Sequence, residues 1–326
     1  MDNDWTVGEL KAAKCKLAAI LGVHIRHIEL AWQNQDNYCE VRVGSDERHR
    51  SRIVLNACPE LKKIQQLLNR KVFRHINLSA AVHGFVPGRS FKTFLMPHRN
   101  SVEFLSLDFK DAFNQVKAEQ VVKFLFEYLK NKGVAKLITL LVTYKGEVPQ
   151  GVASSPYLFN IACRQLDEAI LQQAKTHNLV YTRYGDDICL SSVKEVNLRD
   201  FTEQIICLCK KFGFQLNFQK IRCQNARHRS PEISGVIIEK GGFRISKRKY
   251  LDQLRALIDR AVWDESISVE QVEGRLGMVR VIYRASGRSR HYLPGRLRKP
   301  YEKFRWARGL EAKNLKKLSE KMRVEW

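Results

Sequence analysis

A short hairpin pattern in the middle of the chain constrains the fold more than any other feature. Two strand-like runs, residues 178–184 and 187–192, flank the Gly185-Asp186 pair, which is a strong signal for a tight antiparallel hairpin. The turn carries adjacent carboxylates, Asp186 and Asp187, which repel each other and gain nothing from burial. A divalent cation would remove that penalty, because hard cations prefer carboxylate oxygens. A surface turn rich in turn-forming residues is the alternative.

A second strand-like segment supplies a third carboxylate. Residues 101–108 alternate in polarity and end at Asp108, where a turn begins. If this strand neighbours the hairpin, Asp108 joins Asp186 and Asp187. Three carboxylates suit two Mg²⁺ ions roughly 3.5–4 Å apart, the arrangement used for in-line phosphoryl transfer. Catalysis of that kind is positioning plus charge stabilisation, without a covalent enzyme intermediate.

The charge of the chain indicates a polyanionic partner. Lys and Arg number 57 against 34 Asp and Glu, a formal net charge of +23, which favours nucleic acid first and an anionic membrane surface second. The excess is strong near the C-terminus, where 13 Lys and Arg lie between Arg288 and Arg323 with aromatic residues among them. Basic residues beside rings suit a nucleic-acid backbone and stacked bases. A solvated helical surface with core aromatics is the alternative.

Length and composition favour an ordered protein of the reducing cytoplasm. A chain of 326 residues allows one large domain or two to three subdomains, and 44% hydrophobic residues exclude wholesale disorder. The 8 cysteines form no CxxC pair, so buried free thiols are expected. Neither a signal-peptide pattern nor a membrane-length apolar run is evident. We therefore expect a cytoplasmic location and no membrane partner.

Strands and helices alternate along the chain. A capping box at Thr6 and Glu9 predicts a helix start, and Ser155-Pro156 predicts another, with Ser155 as the N-cap. The predicted strands lie at residues 38–43, 52–55, 101–108, 178–192 as a hairpin, and 233–245 as a second hairpin turning at Gly241-Gly242. The predicted helices begin at Thr6, after Pro59, near Val121, at Ser155 and at Leu198, followed by a basic helical region from Lys247.

Four short motifs follow one another in a familiar order. They are Asp108-x-x-Asp111-Ala112-Phe113, Pro149-Gln150-Gly151, Tyr184-Gly185-Asp186-Asp187 and Leu216-Asn217-x-x-Lys220. This order and spacing resemble motifs A to D of reverse transcriptases, and the likeness runs from about Arg52 to about Gly287. The resemblance implies an α+β right-hand polymerase with an antiparallel palm sheet. Its fingers with an N-terminal helix would occupy residues 1–100, its palm 101–245 and its basic helical thumb 246–326.

The resemblance also implies roles for individual residues in catalysis. Asp108, Asp186 and Asp187 would bind two Mg²⁺ ions, with Mn²⁺ as a possible substitute, and Asp187 would contribute less directly than the other two. Lys220 would donate a proton to the pyrophosphate, although a solvated lysine is the alternative. Phe113 would act as a steric gate against a ribose 2′-OH, with a core phenylalanine as the alternative.

The resemblance places further residues near the incoming nucleotide. Gln150 and Gly151 would line the nucleotide pocket, and Arg52 would grip the triphosphate. Arg89 in the next loop would contact nucleotide or template, or serve as a general backbone contact. The dNTPs are therefore expected partners.

Within the family, the closest resemblance is to bacterial retron enzymes. The stretch His83-Gly-Phe-x-x-Gly-Arg-Ser90 resembles their typical loop, and Ile233-Ser234-Gly235 stands where they carry Val-Thr-Gly. Departures are Gly185 where Ala is commoner, and the loss of Asn-Ala-x-x-His except for its histidine, His98. The residues expected to bind RNA are Arg89, His98, Ser234, Arg288, Arg296 and Arg298.

The retron resemblance implies a defined reaction. The enzyme would bind a structured noncoding RNA, prime from the 2′-OH of an internal guanosine, and copy part of that RNA into a branched RNA–DNA product (msDNA) in antiphage defence. A separate effector protein and an RNase H supplied in trans would be its partners. Alternatives are another bacterial reverse transcriptase, group II intron-like or abortive-infection type, and a catalytically inactive RNA-binding homologue. The intact carboxylate set argues against the inactive homologue.

Overall fold

A computed structural model describes residues 5–43, 52–240, 242–246, 250–289 and 291–310, with backbone only at Val43 and Arg52. Within those residues the helices are α1 Val7–Leu21, α2 Ile25–Gln33, α3 Pro59–Lys71, α4 Phe91–Leu95, α5 Ala118–Leu129, α6 Lys132–Val142, α7 Ser155–Ala162, α8 Arg164–Thr176, α9 Leu198–Lys211, α10 Asp252–Ala261, α11 Val269–Ala285 and α12 Gly295–Ala307. The strands are β1 Tyr38–Val43, β2 Arg52–Ala57, β3 Glu103–Asp108, β4 Val180–Tyr184, β5 Asp187–Ser192, β6 Arg222–Asn225, β7 Glu232–Ile233, β8 Val236–Glu239 and β9 Gly242–Ile245.

The chain forms two compact units that are not contiguous in sequence. The first comprises residues 1–82, 109–170 and 205–217, and the second comprises residues 83–108, 171–204 and 218–326. This division cuts across the three predicted segments, 1–100, 101–245 and 246–326. The fingers, palm and thumb boundaries therefore stay a prediction.

The first unit is mainly helical. Its first helix begins at the predicted capping box, in which the Thr6 hydroxyl accepts from the Glu9 backbone N–H and the Glu9 carboxylate accepts from Thr6. Helix α1 packs against α6, and α5 also packs against α6. Strands β1 and β2 pair antiparallel from Tyr38↔Ala57 onward, as predicted. The charged turn predicted between them, residues 45–50, lies outside the described residues.

One predicted helix in this region is two. The pattern after Ser155-Pro156 predicts a single helix to about Ala174, but α7 ends at Ala162 and α8 begins at Arg164. The N-cap is Ser154, one residue earlier than predicted, and Pro156 lies in the first turn, where its missing N–H leaves no hydrogen bond unmade.

The second unit contains two antiparallel sheets and the basic helices. Strands of the larger sheet follow the order β4-β5-β3-β6, and the smaller sheet follows β7-β8-β9. Buried side chains from the strands β3, β5, β7, β8 and β9 and the helices α4, α10, α11 and α12 share one hydrophobic core, with Phe94, Phe104, Ile258, Leu276 and Phe304 at 0% exposure. Burial on this scale is the main stabilising term of such a unit.

The small sheet differs from its predicted hairpin by an additional strand. The register Ile233↔Val236 leaves only Ser234 and Gly235 in the first turn, and both have positive φ, 47° and 81°. That pair of angles is the signature of a type I′ turn, whose twist matches the strands it joins. The second turn follows Glu239, which pairs with Gly242. Gly242 therefore begins β9 and does not lie in the turn as predicted, and Gly241 lies outside the described residues.

Candidate active site

The central hairpin of the second unit forms as the sequence predicts. Tyr184 pairs with Asp187, so Gly185 and Asp186 are the only residues of the turn. Gly185 has φ 61°, and a glycine with positive φ at the first central position is the pattern of a type II′ turn. The turn leaves Asp186 exposed and Asp187 half-buried at the start of β5.

The third carboxylate lies beside the hairpin. Strand β3 pairs with β5, and the register sets Asp108 directly opposite Asp187. The expected neighbouring of these strands is thus confirmed. Directly opposed residues of an antiparallel pair have Cβ atoms about 4.5–5.5 Å apart, and like charges there are destabilising. The pairing of β3 with β5 therefore brings these carboxylates together at one end of the two strands.

Burial and neighbouring charges both change the pKa of Asp187. The pKa of Asp187 is raised to about 7, first by burial and then by the charge of Asp186, with Asp108 adding to the effect. The Ser234 hydroxyl, which hydrogen-bonds the Asp187 side chain, and the Lys220 ammonium oppose the rise. The Lys220 Nζ lies 2.8 Å from both carboxylate oxygens of Asp108. The predicted proton donor therefore sits against a predicted metal ligand.

The donor set fits a hard divalent cation. Carboxylate oxygens are the ligands that Mg²⁺ prefers. A bound cation would offset both the burial and the charge of Asp186, which together raise the pKa of Asp187. In the part of the chain that the structure describes, however, no group of three acidic, His or Cys side chains is already gathered as a metal cluster. Instead, Asp108 forms an ion pair with the Lys220 ammonium, at 2.8 Å between Nζ and Oδ1.

A loop that begins at His83 packs against the Gly185-Asp186 turn. The His83 backbone N–H donates to the Arg183 carbonyl at 2.7 Å. A Cβ on Gly84 would lie 2.4 Å from the Gly185 backbone nitrogen, so only glycine fits there. The aromatic ring of Phe91 meets Tyr184 edge-on at 5.1 Å between centroids. The sequence marks this loop only through its resemblance to the retron loop, and no local pattern predicts its contact with the turn.

Two residues of the second unit need separate comment, because their surroundings differ from what the sequence predicts. His98 is fully buried, and its ring nitrogens lie 2.6 Å from the Ser191 and Thr182 hydroxyls. The prediction that His98 contacts RNA is therefore corrected, since a side chain without exposed surface does not touch RNA. Ser234 is exposed at its turn and hydrogen-bonds Asp187.

Of the other residues predicted to bind RNA, three arginines are exposed and one is half-buried. Arg288 and Arg298 are exposed, and their guanidinium carbons lie 5.4 and 5.8 Å from the Tyr292 ring centroid. Arg296 is exposed and forms an ion pair with Asp252. Arg89 is half-buried. The Tyr292 group thus combines two cations and a ring on one surface.

The predicted nucleotide-binding residues belong to the first unit. The Gln150 carbonyl accepts from the Leu55 N–H at 2.8 Å, and the Ser155 hydroxyl donates to the Pro149 carbonyl at 2.5 Å. Gly151 has φ 98°, and a Cβ there would lie 2.8 Å from the Leu55 carbonyl oxygen. These contacts fix the Pro149-Gln150-Gly151 loop against strand β2 and explain its glycine.

A cleft of about 180 Å³ lies beside this loop in the first unit. Its lining includes Gln150, together with Asn114 and Ile53, which directly follow Phe113 and Arg52 in the sequence. The side chain of Arg52 itself lies outside the described residues. The half-buried Phe113 ring meets the buried Phe159 ring at 62° and 5.6 Å between centroids. The lining residues of the cleft are Ile53, Leu55, Asn114, Tyr144, Lys145, Glu147, Pro149 and Gln150.

Comparison with known proteins defines the class. The family model described as reverse transcriptase (RNA-dependent DNA polymerase) matches residues 45–251. Since that match covers more than half of the chain, the chain belongs to the reverse transcriptase family and is an RNA-directed DNA polymerase.

Its relatives narrow the class to the retron type. The chain is 29% identical over 269 residues to the retron Ec86 reverse transcriptase of Escherichia coli, covering 82% of each chain. It is 26% identical over 275 residues to the retron Mx162 reverse transcriptase of Myxococcus xanthus, covering 73% of this chain and 56% of that one.

A solved structure also resembles the chain. Telomerase from Candida albicans matches at a TM-score of 0.48 and 12% identity, over 90% of this chain and 63% of that one. This level of similarity bears on neither fold nor function. Separately, among the residues that the structure describes, no helix has both the length and the apolar character needed to cross a membrane.

Proposed function

We propose that this enzyme copies part of a structured noncoding RNA into a branched RNA–DNA product, primed from an internal guanosine 2′-OH, in antiphage defence. The observation that carries the proposal is the register that sets Asp108 opposite Asp187, one residue from Asp186. The retron-type relatives support the choice of RNA and product. A cytoplasmic location, a separate effector protein and an RNase H acting in trans complete the proposal.

In this proposal the second unit supplies the metal ligands. Asp108, Asp186 and Asp187 would hold two Mg²⁺ ions, or Mn²⁺. Metal ions held by these carboxylates would supply Lewis-acid activation of the primer hydroxyl and charge neutralisation for the pyrophosphate. Lys220, which holds both oxygens of Asp108, would exchange that contact for the pyrophosphate and give it a proton.

The first unit would receive the incoming dNTP. Gln150 and Gly151 form a fixed loop beside a cleft, which suits a nucleotide that needs close backbone approach. Phe113 would exclude a ribose 2′-OH by bulk, and Arg52 would bind the triphosphate as a bidentate cation.

The second unit would also hold the RNA. The exposed Arg288 and Arg298 around Tyr292 offer phosphate contacts beside a stacking surface. Arg296, Arg89 and Ser234 would extend this surface, since RNA is read by shape, single-stranded bases and 2′-OH groups. His98 has no part in it, because it is buried.

The metal assignment is tested by Asp186→Asn combined with Asp187→Asn. We expect Mg²⁺-dependent dNTP incorporation to fall to background while RNA affinity changes less than about twofold, because the change removes metal ligands and leaves the basic surface intact. Asp259→Asn on α10, which removes an exposed carboxylate paired with Arg255, is the matched control and should retain activity. Synthesis that persists in the double variant would contradict the assignment.

The retron reaction is tested by extracting nucleic acid from cells that express the enzyme with its neighbouring noncoding RNA. A short DNA joined to RNA through a 2′–5′ linkage, released by a debranching enzyme, is the expected product. Active enzyme that yields only linear cDNA would instead favour another bacterial reverse transcriptase lineage.

A further inference from the structure

A buried arginine lies directly behind the turn that carries Asp186. Arg183 is on β4 with 0% exposure, and it is the largest of the fully buried side chains in the described residues. Its Nη1 donates to the Gly185 carbonyl at 2.8 Å. That carbonyl belongs to the peptide that joins Gly185 to Asp186. The guanidinium therefore contacts the link immediately before a proposed metal ligand.

The same strand is held from a second direction. The Arg183 backbone carbonyl accepts from the His83 N–H at 2.7 Å, and Gly84 packs so tightly on the turn that a Cβ would lie 2.4 Å from the Gly185 nitrogen. Phe91 and Phe94 lie 5.1 and 5.8 Å from the Tyr184 ring, between centroids. The turn and the residue before it are thus contacted by the Arg183 side chain, by the backbone at Gly84, and by the rings of Phe91 and Phe94.

We infer that Arg183 is a positioning residue of the metal site, which fixes the Gly185–Asp186 peptide and through it the direction of the Asp186 carboxylate. This inference rests on the proposed function, because it needs the carboxylates to hold metal. Groups that orient metal ligands from behind typically contribute about 10- to 100-fold to metal affinity or activity. A carbonyl held by a buried, planar guanidinium has little freedom to rotate, and a turn of two residues passes that restraint directly to Asp186.

A role in packing alone does not explain why a charged arginine occupies this buried position. Burying a guanidinium removes it from water, which strongly destabilises the folded state unless its hydrogen bonds are made. Lysine does not reproduce the planar geometry of several donors. A residue kept only for the stability of the sheet would affect the unfolding temperature and leave metal affinity unchanged, and this difference provides the test.

The test measures Mn²⁺ binding to the full-length enzyme without nucleic acid or dNTP, from the electron paramagnetic resonance of free Mn²⁺. We expect Arg183→Lys to weaken binding by about 10- to 100-fold and to raise the Mg²⁺ concentration for half-maximal synthesis, with an unchanged KM for dNTP. The matched control is Arg280→Lys, which disturbs a partly buried arginine bonded to Glu273 and Tyr301 in the helical region. It should lower the melting temperature without changing Mn²⁺ affinity. Wild-type Mn²⁺ affinity in folded Arg183→Lys would overturn the inference.

A second variant disturbs the turn without touching Arg183. Gly84→Ala forces the backbone of Gly185 to shift and should weaken Mn²⁺ binding in the same way, whereas Gly277→Ala, which meets no atom within 4 Å, should not. Gly84→Ala decides the question if Arg183→Lys shows no cooperative melt, and wild-type Mn²⁺ affinity in it would overturn the inference. The Asp186→Asn, Asp187→Asn double variant separates the two hypotheses. If it binds Mn²⁺ as tightly as the wild type, the proposed metal site fails; if it does not but the Arg183 and Gly84 variants bind normally, only the positioning role fails.

Discussion

Phe113 is held in a defined orientation by its neighbours. Its ring meets the buried Phe159 ring at 62°, and the residue before its short helical turn, Asp111, has φ 45°. An edge-to-face contact of this kind contributes about 0.5–1.5 kcal/mol beyond area burial. This contact restrains the orientation of the Phe113 ring, which the proposed steric gate requires.

We expect Phe113→Ala to increase rNTP incorporation relative to dNTP by at least about tenfold, because removal of the ring opens space for a 2′-OH. Competition between matched rNTP and dNTP on one RNA template measures the ratio. Phe113→Tyr keeps the bulk and is the control that should preserve discrimination. An unchanged ratio in Phe113→Ala would show that another group selects the sugar.

At this scale the sequence predicts positions better than contacts. The strand end at Asp108 and the Gly185-Asp186 turn are readable from local pattern, and the pairing of Asp108 with Asp187 follows once the strands are neighbours. The contact between Lys220 and Asp108 joins residues 112 positions apart. No local pattern encodes such a contact, and the same is true of Arg183, whose burial depends on elements packed around β4.

Elements of the larger sheet are joined by a buried histidine. His98 follows α4 and contacts Thr182 on β4 and Ser191 on β5, while the Ser101 hydroxyl lies 2.7 Å from that of Ser191. Burial lowers the pKa of His98 to about 3, and the nearby His83 contributes in the same direction. The folded protein thus holds a neutral imidazole that the unfolded chain would protonate below about pH 6.5.

This difference predicts a stability that depends on pH. Above about pH 6.5 the contribution of neutral His98 is fully present, and it is lost as the pH falls from there toward 3, because the unfolded state binds the additional proton. The slope is about 1.4 kcal/mol per pH unit for one proton. Urea unfolding from pH 7 to 5 measures it.

The comparison variant is His98→Gln, which does not titrate in this range and should show a smaller slope than the wild type. His177→Gln, at an exposed position, should keep the wild-type slope. Equal slopes for His98→Gln and the wild type would mean that His98 is protonated when folded.

The sequence predicts well where helices and strands occur, but it does not predict where a helix is interrupted. The capping box, the hairpins and α9 follow local propensity and turn chemistry. The break at Cys163 between α7 and α8 has no proline or glycine to announce it, so it reflects tertiary packing. The resemblance of its motif to a retron element predicts that His98 contacts RNA. Its burial depends on Ser191 and Thr182, more than eighty residues away.

For the whole molecule, the dominant feature is charge. A net charge of +23 makes RNA binding depend on the release of counterions, with log K falling linearly with log salt at about 0.7–0.9 per neutralised phosphate. Arg288 and Arg298 flank Tyr292 on an exposed surface. Each is expected to neutralise one phosphate.

We expect Arg288→Ala with Arg298→Ala to reduce the salt slope of RNA binding by about 1.4–1.8, since each lost phosphate contact lowers the slope by about 0.7–0.9. Fluorescence anisotropy of labelled noncoding RNA across KCl concentrations measures the slope. Arg227→Ala, at an exposed arginine paired with Glu195, should leave it unchanged. A slope that stays the same in the double variant would move the RNA surface elsewhere.

The division of the chain was the least predictable property at this scale. The resemblance to reverse transcriptases implies three consecutive segments, whereas the compact units each collect segments separated along the chain. The signals in a single sequence are local, and the pairing of β3 with both β5 and β6 is set by long-range burial. The shared core of the helices α10 to α12 with Phe94 and Phe104 arises in the same way.

The contact of the loop at residues 83–85 with the Gly185-Asp186 turn has an evolutionary consequence. Gly185 has φ 61°, and a Cβ there would lie 3.3 Å from the Phe85 ring, so an alanine at residue 185 needs a changed turn conformation as well as a slightly displaced or smaller residue at 85. Positions 85 and 185 should therefore covary among homologues, while position 84 should remain glycine throughout. A lineage that acquired glycine at position 185 would thereby have gained freedom to carry a large aromatic residue a hundred positions earlier.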